Sequence, residues 1–182
     1  GNGTLSPGYG TSVIYTVNPN DNLLDTLQFR LISDKNCRGD SVMKVVKVKI
    51  HKPPVPTITS TIAPLCKNNV TFISLTGTVA YGVGSWSGGN GGAYGIPGSN
   101  TTYTPSMADL SAGTITLTLT GSSTVGCNPA MTSMTVGFID PPVVNPGANT
   151  LVCTNSSSLQ LNGSISGYTV GIWNSSGTGL FF

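Results

Sequence analysis

Between Thr114 and Thr120 apolar and hydroxyl side chains alternate without a break, Ile115, Leu117 and Leu119 facing one way and threonines the other. Period-two alternation is the signature of a strand with one face in a core and one in water. The same phase occurs earlier, at Leu27, Phe29 and Leu31. A second strand is predicted from Met131 to Ile139, with Met134, Val136 and Phe138 inward, and its earlier counterpart uses Val46, Val48 and Ile50 between Lys47 and Lys49. Met131 and Met43 are out of step with the apolar residues C-terminal to them, which predicts a β-bulge at the start of each strand. Ile73 and Leu75, matched by Leu159 and Leu161 and continued by Val79 and Ile165, mark another inward strand. The stretch from Ser106 to Gly113 is the one plausible helical turn, with Gly113 available to end it. Residues 88–98 read as a loop or a frayed edge strand. Trp86 and Trp173 each sit in a short strand after a glycine-containing approach, so Trp86 joins Ile115, Leu117 and Leu119 as an expected core residue.

These pairings have a common interval of about 88 residues. Gly1-Asn2-Gly3 recurs as Gly89-Asn90-Gly91 and more loosely as Gly177-Thr178-Gly179; Tyr15-Thr16 recurs as Tyr103-Thr104, and Pro53-Pro54 as Pro141-Pro142. Self-similarity at a fixed period is the mark of a repeat architecture. The chain then divides into the C-terminal half of a unit (1–52), a complete unit (53–140) and the N-terminal half of the next (141–182), with proline pairs stiffening the joints. Such a division is expected of a window onto a longer tandem array, with any export signal outside it. About seven short strands per unit, separated by frequent turns, describe an all-β antiparallel sandwich.

Composition narrows the function. Charge is scarce, with eight Lys or Arg, six Asp, no Glu and one His. After Lys67 there is no basic residue, and a net charge of +2 gives no reason to expect nucleic acid. Thr, Ser, Asn and Gly keep the chain soluble, and β-branched residues with turn-formers favour strands over helices. No apolar run approaches the roughly 20 residues of a membrane-crossing helix.

The four cysteines fall into two classes, Cys66 and Cys153 ahead of the second strand of a unit, Cys37 and Cys127 after the penultimate one. In an exported protein they read as disulfides. One pairing joins Cys66 to Cys127 within the complete unit; the other joins adjacent units, Cys37 to Cys66 and Cys127 to Cys153. Zinc is not expected, because there is no CxxC and His51 has no companion.

Chemistry is hard to build from the rest. The complete unit lacks His and Glu, and its carboxylates, Asp109 and Asp140, fall in a turn and at a unit boundary. Facing carboxylates for glycoside hydrolysis and a base beside a serine nucleophile are both missing, so no enzyme activity, cofactor or metal is expected. Asp21, Asp25, Asp34 and Asp40 are the only calcium candidates. Arg38-Gly39-Asp40 spells an integrin-binding tripeptide, read here as an ordinary turn. Asn69-Val70-Thr71 and Asn100-Thr101-Thr102 fit the glycosylation sequon. Lys44, Lys47, Lys49 and Lys52 form the solvated face of one strand.

One ordered series of motifs carries a family likeness: Leu65-Cys66-Lys67-Asn68-Asn69, Leu75-Thr76-Gly77-Thr78-Val79, Gly84-Ser85-Trp86-Ser87-Gly88-Gly89, Thr102-Tyr103-Thr104-Pro105-Ser106, the strand from Ala112 to Thr120, and Gly126-Cys127-Asn128. It resembles the tandem Ig-like repeats of very large cell-surface proteins of Bacteroidota, the SprB-type gliding-motility adhesins. The resemblance implies Ig-like sandwich modules, export by type IX secretion, and display at the outer membrane as a filament. It implies as partners the neighbouring repeats, the secretion and motility machinery, and a surface polysaccharide or the substratum. Val125 stands two residues before Cys127 where classical Ig domains carry a tyrosine, so no tyrosine corner is expected. Asp25-Thr26-Leu27 and Asp40-Ser41-Val42 resemble the O-glycosylation pattern of that phylum. The alternative function is a carbohydrate-binding accessory module of a secreted hydrolase, with Tyr81, Tyr94 and Tyr103 as its candidate aromatic platform.

Overall fold

The computed structural model describes residues 1–33, 41–168 and 170–181. Its order in the first segment is β1 (Thr4–Ser6), β2 (Ile14–Thr16), a 3-10 turn (Pro19–Leu23), β3 (Thr26–Ile32) and β4 (Met43–Lys49). The middle segment continues with β5 (Val55–Ile58), β6 (Leu65–Cys66), β7 (Ile73–Leu75), β8 (Gly77–Ala80), β9 (Val83–Gly88), β10 (Ala93–Tyr94), β11 (Thr101–Thr104), α1 (Met107–Ala112), β12 (Thr114–Ser122) and β13 (Ala130–Ile139). The last segment holds β14 (Val143–Asn145) and β15 (Ser164–Ser166). The protein is all-β, with a single short α-helix among the described residues.

In the middle segment a four-stranded sheet runs β6-β13-β12-β9 and a three-stranded sheet runs β10-β11-β7, while β5 pairs with β8. All these pairings are antiparallel except β6 with β13, where Leu65 and Cys66 lie beside Phe138 and Ile139 in parallel. The alternation read at Thr114 to Thr120 lands as expected, with Ile115, Leu117 and Leu119 buried. Ile73, Leu75 and Tyr103 from the three-stranded sheet meet Ile115, Leu117, Val136 and Phe138 from the four-stranded one in a single apolar cluster. Burying that surface is the main source of stability.

Two local expectations need correction. The β12–β13 register runs unbroken from Thr114↔Gly137 to Gly121↔Ala130, so no bulge occurs at Met131. Met131 and Met43 are simply outward-facing, 68% and 50% exposed. Trp86 does not occupy the centre of the core: it is half-buried at the cluster's margin, its indole N–H donating to the Ser99 carbonyl at 2.9 Å. Tyr103, fully buried, is the large aromatic at the centre.

The long strand pair of the first segment matches that of the middle one. The β3–β4 ladder runs from Thr26↔Lys49 to Ile32↔Met43, and 88 residues on the β12–β13 ladder runs from Thr114↔Gly137 to Thr120↔Met131. The Ile50 N–H donates to the Asp25 carbonyl at 3.0 Å, and the Phe138 N–H to the Gly113 carbonyl at 2.7 Å, again 88 residues on. The shorter pairs do not match: Thr16 faces Thr4, whereas Thr104, 88 residues on, faces Ala93, one residue out of step; cover differs as well. Leu119 is fully buried, whereas Leu31 at the matching position is 60% exposed. Open apolar clefts lie on both outer segments, one lined by Tyr15, Phe29, Leu31 and Val46, the other by Val144, Ile165, Tyr168 and Trp173.

Candidate functional site

The best-defined constellation of polar groups is a buried tyrosine–aspartate clasp, and the chain makes it twice. Helix α1 opens with Ser106 as N-cap: the Ser106 hydroxyl accepts from the Asp109 N–H at 3.1 Å, and the Asp109 carboxylate accepts from the Ser106 N–H at 2.7 Å. This reciprocal capping box satisfies donors at the start of a helix that would otherwise be orphaned. Gly113 ends the helix in the left-handed conformation, φ 74°.

The carboxylate does more than cap. Its Oδ2 also accepts from the Tyr103 hydroxyl at 2.7 Å, and its Oδ1 accepts from the Asn90 N–H. Asp109 thus ties three elements together: the glycine-rich loop, the end of β11 and the first turn of α1. The Tyr103 hydroxyl in turn accepts from the Gly92 N–H at 3.1 Å. Glycine is required where the loop closes over the ring. Gly89 has φ 75°, and a Cβ there would collide with the Tyr103 hydroxyl.

In the first segment Asp21 accepts from the Asn2 N–H at 2.7 Å, from the Tyr15 hydroxyl at 2.6 Å and from the Asn18 N–H at 3.0 Å. Asn18 caps the 3-10 turn in a capping box with Asp21, and the Gly3 N–H donates to the Tyr15 hydroxyl at 2.8 Å. Asp21 and Asp109 are the two buried charged residues of the described chain. The clasp accounts for the first glycine of the repeated Gly-Asn-Gly motif. The asparagine lends its backbone N–H to the aspartate, and the first glycine lets the loop lie on the tyrosine.

The hydrogen bonds set the ionisation. The Tyr15 hydroxyl, helped by the Asn2 and Asn18 N–H groups against the opposing effect of burial, holds Asp21 down at about 2. Burial pushes Asp109 toward the neutral acid, but the N–H groups of Ser106 and Asn90 and the hydroxyls of Tyr103 and Ser106 outweigh it, and its pKa is lowered. Burial, with the hydrogen bond to Asp109 next, pushes Tyr103 up to about 12. Tyr94, whose ring centroid lies 4.8 Å from that of Tyr103, rises to about 12 through burial and the nearby Asp109 charge. A carboxylate saturated by donors and closed to solvent cannot take a substrate proton, so the clasp's role is to hold the loop, the strand and the helix in place.

The other candidates are scattered. Cys66 and Cys127 are not brought together. Cys66 pairs beside Ile139 at one end of β13, while Cys127 precedes Ala130 at the other end, separated by a ten-residue strand about 30 Å long. A disulfide needs Cα atoms roughly 4.4–6.8 Å apart, so the intra-unit bridge is excluded. Cys66, Cys127 and Cys153 are free thiols. Cys37, the Arg38-Gly39-Asp40 tripeptide and the calcium candidates Asp34 and Asp40 lie outside the described residues.

The three platform tyrosines do not share a face. Tyr103 is buried and Tyr94 half-buried against it. Tyr81 is exposed, at φ 61°, with the Lys52 ammonium 5.3 Å from its ring centroid. Lys67 pairs with Asp140 at 2.8 Å. Among the described residues no cluster of three metal-ligating side chains occurs, and no helix is long and apolar enough to cross a membrane. No protein-family model matches the chain, and no curated protein or solved structure matches it.

Proposed function

We propose that the chain is a structural and adhesive repeat segment of a very large secreted surface filament, with residues 53–140 as one complete Ig-like sandwich module and residues 1–52 and 141–182 as half-modules. The observation that carries the reading is the recurrence of the clasp, with the same donors on the same carboxylate 88 residues apart. A load-bearing repeat must keep its internal braces from unit to unit and has no need to keep a pocket. The apolar clefts of the outer segments support the same reading, since each exposes the face that the middle unit covers. By its sequence resemblance the filament is a gliding-motility adhesin, exported by type IX secretion and displayed at the outer membrane. Its partners are the neighbouring repeats, the secretion and motility machinery, and a surface polysaccharide or the substratum.

Antibody raised against the 182-residue protein should label intact, unpermeabilised cells that make the parent polypeptide, and brief protease treatment of those cells should remove the label. Labelling seen only after permeabilisation would reject the surface assignment.

A further inference from the structure

We propose that consecutive units are stapled across their joint by a disulfide between the Cys66-class thiol of one unit and the Cys127-class thiol of the unit after it. The proposal rests on the tandem reading above. Leu65 and Cys66 lie in parallel beside Phe138 and Ile139, and the Lys67 N–H donates to the Ile139 carbonyl at 3.0 Å. The residue that takes the place of Ile139 one unit earlier is His51, because the Ile50-to-Asp25 and Phe138-to-Gly113 hydrogen bonds are equivalent. A Cys66-class cysteine of that earlier unit would therefore run alongside His51. Cys127 is already there: its thiol donates to the His51 carbonyl oxygen at 3.7 Å. Both thiols therefore belong to segments that lie against His51 at one joint, the placement from which a disulfide can form.

Both other pairings fail on the same geometry. Cys66 and Cys127 of one unit sit at opposite poles. Pairing Cys127 with Cys153 would join the near pole of one unit to the far pole of the next. Cys66 is exposed and Cys127 half-buried, so each is open to a partner. In the reaction each thiol gives up one proton and one electron as the sulfur–sulfur bond forms. A small-molecule or protein disulfide accepts both electrons and both protons and leaves as two thiols. The bridge carries tension across a joint otherwise made of single backbone.

The test is a fusion of residues 1–176 to a second complete copy of the chain, a register set by the overlay of Gly177-Thr178-Gly179 on Gly1-Asn2-Gly3. The fusion is oxidised with glutathione disulfide, alkylated and mapped by mass spectrometry. The expected cross-link, dominant among Cys153 products, joins Cys153 of the first copy to Cys127 of the second. Cys153→Ser should leave that second Cys127 open to alkylation. A Cys66–Cys127 link within one copy overturns the proposal. So do free Cys153 and Cys127 in a fusion whose residues 141–176 and following 1–52 have become protected from amide exchange. Absence of that protection overturns the tandem reading itself, and the staple falls with it.

Discussion

Leu119→Ala is expected to destabilise the middle unit by about 2–5 kcal/mol, and Leu31→Ala by under about 1 kcal/mol. The two leucines hold equivalent places on equivalent strands, pairing with Thr132 and Lys44 in ladders that match 88 residues apart. Leu119 is 0% exposed and packs toward Gly77, so truncation removes buried methyl groups and leaves a cavity that the sheets cannot close. Leu31 lines an open cleft and has little burial to lose. Denaturant unfolding followed by Trp86 fluorescence, in a Trp173→Phe background, reads the first change. Amide exchange across β3 and β4 reads the second. Equal losses at the two sites would mean that their cover is the same, contrary to the structure.

Asp109→Ala is expected to be as severe, on the order of 3–5 kcal/mol, because it strands the Tyr103 hydroxyl and the Asn90 and Ser106 N–H groups inside the protein. Tyr103→Phe removes one bond and leaves the carboxylate its backbone donors, so a loss of about 1–2 kcal/mol is expected. The double variant should lose clearly less than the sum of the two. Strict additivity would show that the groups do not act as a unit.

The same clasp fixes a pH profile. Both aspartates have folded pKa values below their unfolded value of 3.8, Asp21 at about 2, so their contribution is present above the unfolded value and is lost as pH falls through the lowered folded ones. Tyr103 and Tyr94 are raised from 10 to about 12, so theirs is complete below about pH 10 and is lost as pH climbs toward 12. Melting temperature should be flat between those limits. Replacing Asp109 by asparagine should weaken the acid limb.

What was legible in the sequence is what local pattern controls. The alternation from Ile115 to Leu119 and the Ser106 to Gly113 turn need only their neighbours, and both formed as the pattern implies. Asp109 and Asp21 were not legible as buried groups, because a charged residue in a turn normally faces water. The signal was present nonetheless: Gly-Asn, Tyr-Thr and Asp all recur at one spacing, and only the first two pairs stood out. The bulge at Met131 failed because an apolar residue on an outer face mimics a slip of phase. The Cys66–Cys127 bridge failed because the direction of β13, which puts the two thiols at opposite poles, depends on sheet topology that no linear spacing records.

The most direct test of the account is mechanical. Two copies of the chain joined in register and kept reduced should, when stretched between their ends, unfold in equal steps. Each step should lengthen the molecule by about 28 nm, the extended length of one 88-residue unit less its folded span. One undivided unfolding event, or steps of unrelated size, would contradict the claim that the chain is a string of equivalent units.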